Sequence, residues 1–170
     1  MDQRSPSSSK TEILDAPLHT LGFEIDELSA HKFSGHFLVT SKCCQFEDLR
    51  CGSGQPFKVL HGGVSALIAE ALVGIGAHTA SRFHRVAGIH LSISHLKSAH
   101  EGDYVVAEAT PVNIGKSIQV WEVQLWKCDP SKPEIKTLIA SSRVTALCIL
   151  RPVPESAVDA AQTLKKHAKL

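Results

Sequence analysis

The stretch HGGVSALIAEALVGIGAHTA, residues 61–80, constrains this fold more than any other segment. From Val64 to Ala80 its pattern is helical and apolar on nearly all faces, and such a helix is expected to be buried all round. After it the period changes from helical to two. GIHLSISHL (88–96), DYVVAEATPVNI (103–114), KSIQVWEVQLWKC (116–128) and TLIASSRVTALCIL (137–150) read as four strands. The connectors EGD, IGK and DPSKPEIK are turn-like, and Gly115-Lys116 suggests a hairpin. Before the helix, LGFEIDEL (21–28) and KFSGHFLVT (32–40) read as two strands around a turn at Ser29-Ala30. The order is two strands, one helix and four strands in 170 residues, enough for one domain. One curved antiparallel sheet wrapped around the helix satisfies it, an α+β fold. Such a sheet leaves one edge and one end of the helix open, which a second copy of the chain closes.

Glu70 breaks the helix's apolar run, with Leu67, Ile68 and Ala69 before it and Ala71, Leu72 and Val73 after it. An unpaired buried carboxylate costs several kcal/mol, so this one needs a partner or a function. Composition excludes some partners. The 18 Lys and Arg nearly balance 17 Asp and Glu, which gives no field for nucleic acid or a membrane surface. The ten histidines are scattered without H-x-x-H or H-E-x-x-H spacing, so no metal site is read from them. Five cysteines, an odd number without C-x-x-C, favour free thiols in a reducing compartment. The longest apolar run, Val64 to Ala77, is interrupted by Ser65 and Glu70 and reads as too short to span a bilayer. Residues 1–16 are expected to be a disordered tail, 17–151 the domain with 46–54 as an inserted loop, and 152–170 a C-terminal helix and tail.

QPFKVLHGGVSALIAE (55–70) resembles the signature of hotdog-fold acyl-CoA thioesterases, where a Gln, a His-Gly-Gly and a helical acid occur at this spacing. GIHLSISHLKSAHEGD, GKSIQVWEVQLW and SSRVT continue the resemblance over roughly residues 17–150. Within that superfamily, CCQ, QPFKVLHGGVSALIAE and SRVT are most similar to the plant peroxisomal 1,4-dihydroxy-2-naphthoyl-CoA thioesterases of phylloquinone synthesis. The resemblance implies thioester hydrolysis without a cofactor, with Gln55, His61, Gly62 and Glu70 catalytic. Elementary chemistry gives each a task. Gly62 N–H, at a helix N-terminus, is placed to hold the oxyanion, and Gln55 to orient the carbonyl. Glu70 takes a proton from water or attacks the thioester itself. His61 shapes the loop.

Helix geometry adds a constraint. Glu70 follows His61 by nine residues, roughly 13 Å along the axis, so one helix cannot bring its own acid to its own Gly62. The resemblance implies two antiparallel helices across a dimer, with possible pairing of dimers into tetramers. It places coenzyme A at Gly88, His95, Lys97, Ser98, Asn113, Gly115, Lys116 and Ser117, with the lysines facing phosphates. Ala168-Lys169-Leu170 resembles the small-basic-Leu tripeptide read by the peroxisomal import receptor. Two departures from the family pattern stand out. Gly74 replaces a Ser or Thr one turn after the acid. FEDLRCGSGQ interrupts CCQPFKVLHGG, leaving Gln45 and Gln55 as rivals, of which Gln55 has the family spacing to His61. Alternatives are a thioesterase for another aryl or medium-chain acyl-CoA, a non-catalytic acyl-CoA-binding protein, and a hotdog dehydratase using His61 and Glu70.

Overall fold

A computed structural model of the chain describes residues 10–47, 57–149, 162 and 165–168. The anticipated elements form with modest changes of boundary. Strands β1 (Glu24–Leu28) and β2 (Phe33–Leu38) pair antiparallel through a turn in which Ser29 N–H donates to Lys32 O and Lys32 N–H donates to Ser29 Oγ. A two-stranded ribbon follows, β3 (Cys44–Glu47) against β4 (Phe57–Leu60). The long helix, here α3, runs Gly62–Ala80, starting two residues earlier than the apolar pattern suggested. Then come β5 (Arg85–His95), β6 (Tyr104–Ile114), β7 (Ile118–Asp129) and β8 (Lys132–Ile149).

Six strands form one antiparallel sheet in the order β1-β2-β6-β7-β8-β5. α3 lies across it, touching β2, β5, β6, β7 and β8. This is the α+β arrangement expected, a sheet around one long helix. Close approach is possible because Gly76 faces the indole of Trp121; a Cβ there would sit 3.1 Å from the ring. Trp121 is fully buried and donates its Nε1–H to Gln119 Oε1 at 2.9 Å. Gln119 Nε2 in turn reaches Ala77 O and Cys148 Sγ, tying the end of α3 to β7 and β8. At the other side of the sheet, Gly35 seats the Phe23 ring, 2.4 Å from where a Cβ would stand.

Four expectations need correcting. Residues before 17 are not all tail, because α1 (Lys10–Leu14) and α2 (Ala16–Thr20) are short helices. Asp15 caps α2, and the buried Thr11 accepts the Ile25 N–H, so polar residues that read as a tail are instead used locally. DPSKPEIK is not all connector: the turn is confined to Pro130-Ser131, and β8 already begins at Lys132. α3 is long and apolar enough for a bilayer by length and composition, although its sheet contacts make it the core helix. Nor is α3 buried all round. Gly63, Leu67, Glu70 and Gly74 are exposed at spacings of four, three and four, a single uncovered stripe. Of the inserted loop, Phe46 and Glu47 extend β3, while residues 48–54 lie outside the described residues. Most of the expected C-terminal helix also lies outside them, although Gln162 and residues 165–167 are helical.

Candidate active site

The candidate site is built at the N-terminus of α3. His61 is its N-cap: Nδ1 accepts the Gly63 N–H at 2.8 Å, and its carbonyl accepts from Val64 and Ser65. With Nδ1 an acceptor, a neutral ring carries its proton on Nε2. His61 therefore shapes the loop, as its position suggested. Its own N–H bonds Cys43 O, fastening the helix start to the chain just before β3. Gly62 follows. Its N–H is among the first donors of the helix and finds no acceptor among the described residues.

Beside Gly62 stands the His95 ring, whose Nε2 lies 3.0 Å from where a Gly62 Cβ would begin. His95 ends β5, and the chain beyond it is held by Leu96 N and Lys97 N on Ile139 O. The ribbon closes the opposite wall, because Leu60 N donates to Ala99 O at 2.8 Å. Between these walls is a cavity of about 230 Å³, with Gln45, Gly62, Ser65, His95, Lys97 and Ser98 as its polar lining.

Glu70 stands elsewhere. It lies two helical turns along α3, exposed, with no ion pair or hydrogen bond among the described residues. Its nearest feature is Gly88 on β5, where a Cβ would lie 3.2 Å from Glu70 Oε1. His78 is not its partner. The His78 ring turns to His84 O at 2.6 Å and packs edge-on against Phe83. Burial pushes the His78 pKa below the ordinary histidine value.

The structure divides the expected coenzyme A residues among three places. His95, Lys97 and Ser98 line the cavity at Gly62. Gly88 lies under Glu70, so its part is to leave room for the carboxylate. Gly115 and Lys116 are at the far end of α3, in a depression of about 270 Å³ shared with Arg82 and His84. Asn113 approaches Gly115, and Ser117 O accepts from Cys148 N in the same hairpin. A helix of 19 residues spans roughly 28 Å, so one chain does not bring Lys97 and Lys116 together. Arg143 faces Glu122 at 4.0 Å on the exposed side of the sheet.

Gln55, Lys169 and Leu170 lie outside the described residues. Ala168 is half-buried and packs against the core, and Lys165 Nζ sits 5.1 Å over the Phe83 ring. Two cavity residues were absent from the sequence-derived site. Gln45, the rival of Gln55 in the sequence, is brought to the cavity by the β3–β4 pairing, opposite Val59. Ser65, which in the sequence only interrupts the apolar run, is the other. Its signal was a polar residue three after Gly62, on the same helical face.

The arrangement offers a free N–H donor at a helix terminus, an imidazole and an amide around a small cavity, with an exposed carboxylate farther along the helix. Comparison with known proteins accords with acyl transfer from a thioester. The chain matches the Thioesterase superfamily over residues 57–134. It is 54% identical over 167 residues to 1,4-dihydroxy-2-naphthoyl-CoA thioesterase 2 of Arabidopsis thaliana, covering 98% of this chain and 97% of that protein. It is 34% identical to a 1,4-dihydroxy-2-naphthoyl-CoA hydrolase of Listeria monocytogenes, covering 74% and 89% of the two chains. Among solved structures, a thioesterase of Haemophilus influenzae superposes with a TM-score of 0.62 at 28% identity, over 79% of this chain and 83% of that one. The chain is a member of the hotdog-fold thioesterase superfamily and an acyl-CoA thioester hydrolase.

Proposed function

We propose that the protein hydrolyses 1,4-dihydroxy-2-naphthoyl-CoA to the free acid and coenzyme A, serving phylloquinone synthesis, and does so as a homodimer. The substrate is supported by the plant and bacterial relatives named for it. The dimer is supported by one observation above others: an unpartnered Glu70 on an uncovered stripe of α3. Next to that stripe, β5 is the edge of the sheet, with Ile89 55% exposed and Leu67 40% exposed nearby. A second copy laid antiparallel there covers the stripe and pairs the edge. It also carries Glu70 of one chain toward Gly62 of the other, and the Lys116 end of one toward the Lys97 end of the other.

In that arrangement Gly62 N–H and the positive end of α3 face the thioester carbonyl. Glu70 takes a proton from water as the water oxygen bonds to the acyl carbon. The carbon–sulfur bond then breaks, and the pair of electrons leaves on the coenzyme A sulfur, which recovers the proton. The open space at Gly74, where a Cβ would meet nothing within 4 Å, leaves room for that water without supplying a hydroxyl to hold it. Thiol release from dihydroxynaphthoyl-CoA tests the reading. Wild type is expected to turn over, and Glu70→Ala to lose on the order of a thousandfold in kcat. Equal rates for the two contradict it, and a faster wild-type rate on an aliphatic acyl-CoA contradicts the substrate.

Peroxisomal delivery through Ala168-Lys169-Leu170 is proposed on the resemblance of that tripeptide to the import signal. Fluorescent protein carrying residues 152–170 is expected in peroxisomes; diffuse cytosolic signal contradicts it.

A further inference from the structure

We infer that Ser65 is a substrate-positioning residue, holding the thioester against the N-terminus of α3 from within the cavity that Gln45 lines on the other side. Ser65 is 3% exposed, yet its hydroxyl makes no hydrogen bond among the described residues. A serine inside a helix ordinarily bonds back to the carbonyl four residues earlier, as Thr79 does here to Ile75 O. At Ser65 that acceptor, His61 O, is already taken by the N–H groups of Val64 and Ser65. No sealed side-chain oxygen or nitrogen lacks a partner among the described residues. The Ser65 hydroxyl therefore opens to the one space beside it, the cavity that it lines with Gly62 and His95.

Gln45 approaches from the other wall. Its strand pairs Cys44 with Leu60 and Gln45 with Val59, two residues before His61, and its side chain reaches the same cavity. A carboxamide carries two N–H donors and an acceptor, and a hydroxyl carries both functions. A thioester carbonyl entering this space meets Gly62 N–H at the helix end, with Ser65 one turn deeper and Gln45 opposite. Three donors from two elements fix the plane of the carbonyl, so that Glu70's water attacks from one side. The hydroxyl that Gly74 does not supply on the Glu70 side is thus matched by one on the carbonyl side.

The inference rests on the reading of Gly62 and Glu70 as the chemical end, and the experiment separates the two. Steady-state hydrolysis of dihydroxynaphthoyl-CoA is measured for wild type, Glu70→Gln, Ser65→Ala, Gln45→Ala and Ser65→Ala/Gln45→Ala, each with its thermal midpoint. Glu70→Gln reads the underlying mechanism and is expected to be nearly inactive. Ser65→Ala and Gln45→Ala are each expected to lose about tenfold in kcat with KM changed less than about twofold, and the double variant to lose less than their product. Alanine is a better helix former than serine, so the Ser65→Ala midpoint is expected to hold or rise, which separates positioning from structure. Unchanged kcat in Ser65→Ala overturns the inference even if Glu70→Gln is dead and Gln45→Ala is impaired. A fall in kcat that tracks a lowered midpoint overturns it too.

Discussion

The imidazole of His95 lies against Gly62, its Nε2 3.0 Å from the place where a side chain on that glycine would begin. The helix α3 therefore starts under a histidine supplied by the edge strand, and the glycine is what lets the two meet. Gly62→Ala is expected to push the ring aside and lower kcat/KM about tenfold or more without abolishing the fold. His95→Ala in the same chain removes the clash, so the double variant is expected to fall short of the product of the two losses. Multiplicative losses in the cycle would separate the two residues.

The Glu70 carboxylate depends on Gly88 in the same manner, since a Cβ there would stand 3.2 Å from Oε1. Gly88→Val presses on the carboxylate from the sheet side. Its expected signature is a kcat about tenfold lower with an unaltered circular dichroism spectrum. A wild-type kcat for this variant would mean that Glu70 acts from another position.

Gly35 tests the packing of the sheet rather than the chemistry. A Cβ there would lie 2.3 Å from Glu24 O and 2.4 Å from the Phe23 ring, and neither the backbone nor a buried ring has room to move. Gly35→Ala is expected to lose about 3 kcal/mol in urea unfolding, the upper range for overpacking. A loss below about 0.5 kcal/mol would show that β1 shifts freely on β2.

The His78 ring is held neutral by burial, with a pKa below the ordinary 6.5. The folded state then binds fewer protons than the unfolded chain as pH falls through that value. Stability supplied by the neutral ring is full above about pH 6.5 and declines below it, toward the lowered folded pKa. His78→Gln is expected to flatten that part of the stability-versus-pH curve. An unchanged slope between pH 7 and 5 would assign the acid sensitivity to other groups.

The period of two and the long helix made the sheet and α3 legible in the sequence, since both depend on local patterning. Glu70 and the His61-Gly62-Gly63 cap were legible for a related reason: an acid among apolar residues and a glycine pair at a helix start are both unusual locally. Ser65 and Gln45 were not, because their meaning depends on the β3–β4 register and on which acceptor His61 O has already taken, which are tertiary facts. The same holds for the grouping of His95, Lys97 and Ser98 with Gly62 rather than with Lys116, which follows from the strand order and from the length of α3. The exposed stripe of Gly63, Leu67, Glu70 and Gly74 was hidden by its own apolarity, which reads as burial whether the cover is this chain or a second one.

Whether Glu70 of a second copy completes each active site is read out by complementation between two damaged chains. Glu70→Ala and Gly62→Pro, which removes the oxyanion N–H at the first helical position, are made as the two damaged chains and co-expressed under two affinity tags, so that mixed dimers are purified. With sites shared between chains, a mixed dimer has one intact site and one doubly damaged site. Its activity is predicted to return to about half the wild-type value per dimer, and an unsorted mixture to about a quarter. Mixed dimers no more active than either parent would place Glu70 and Gly62 in the same chain's site.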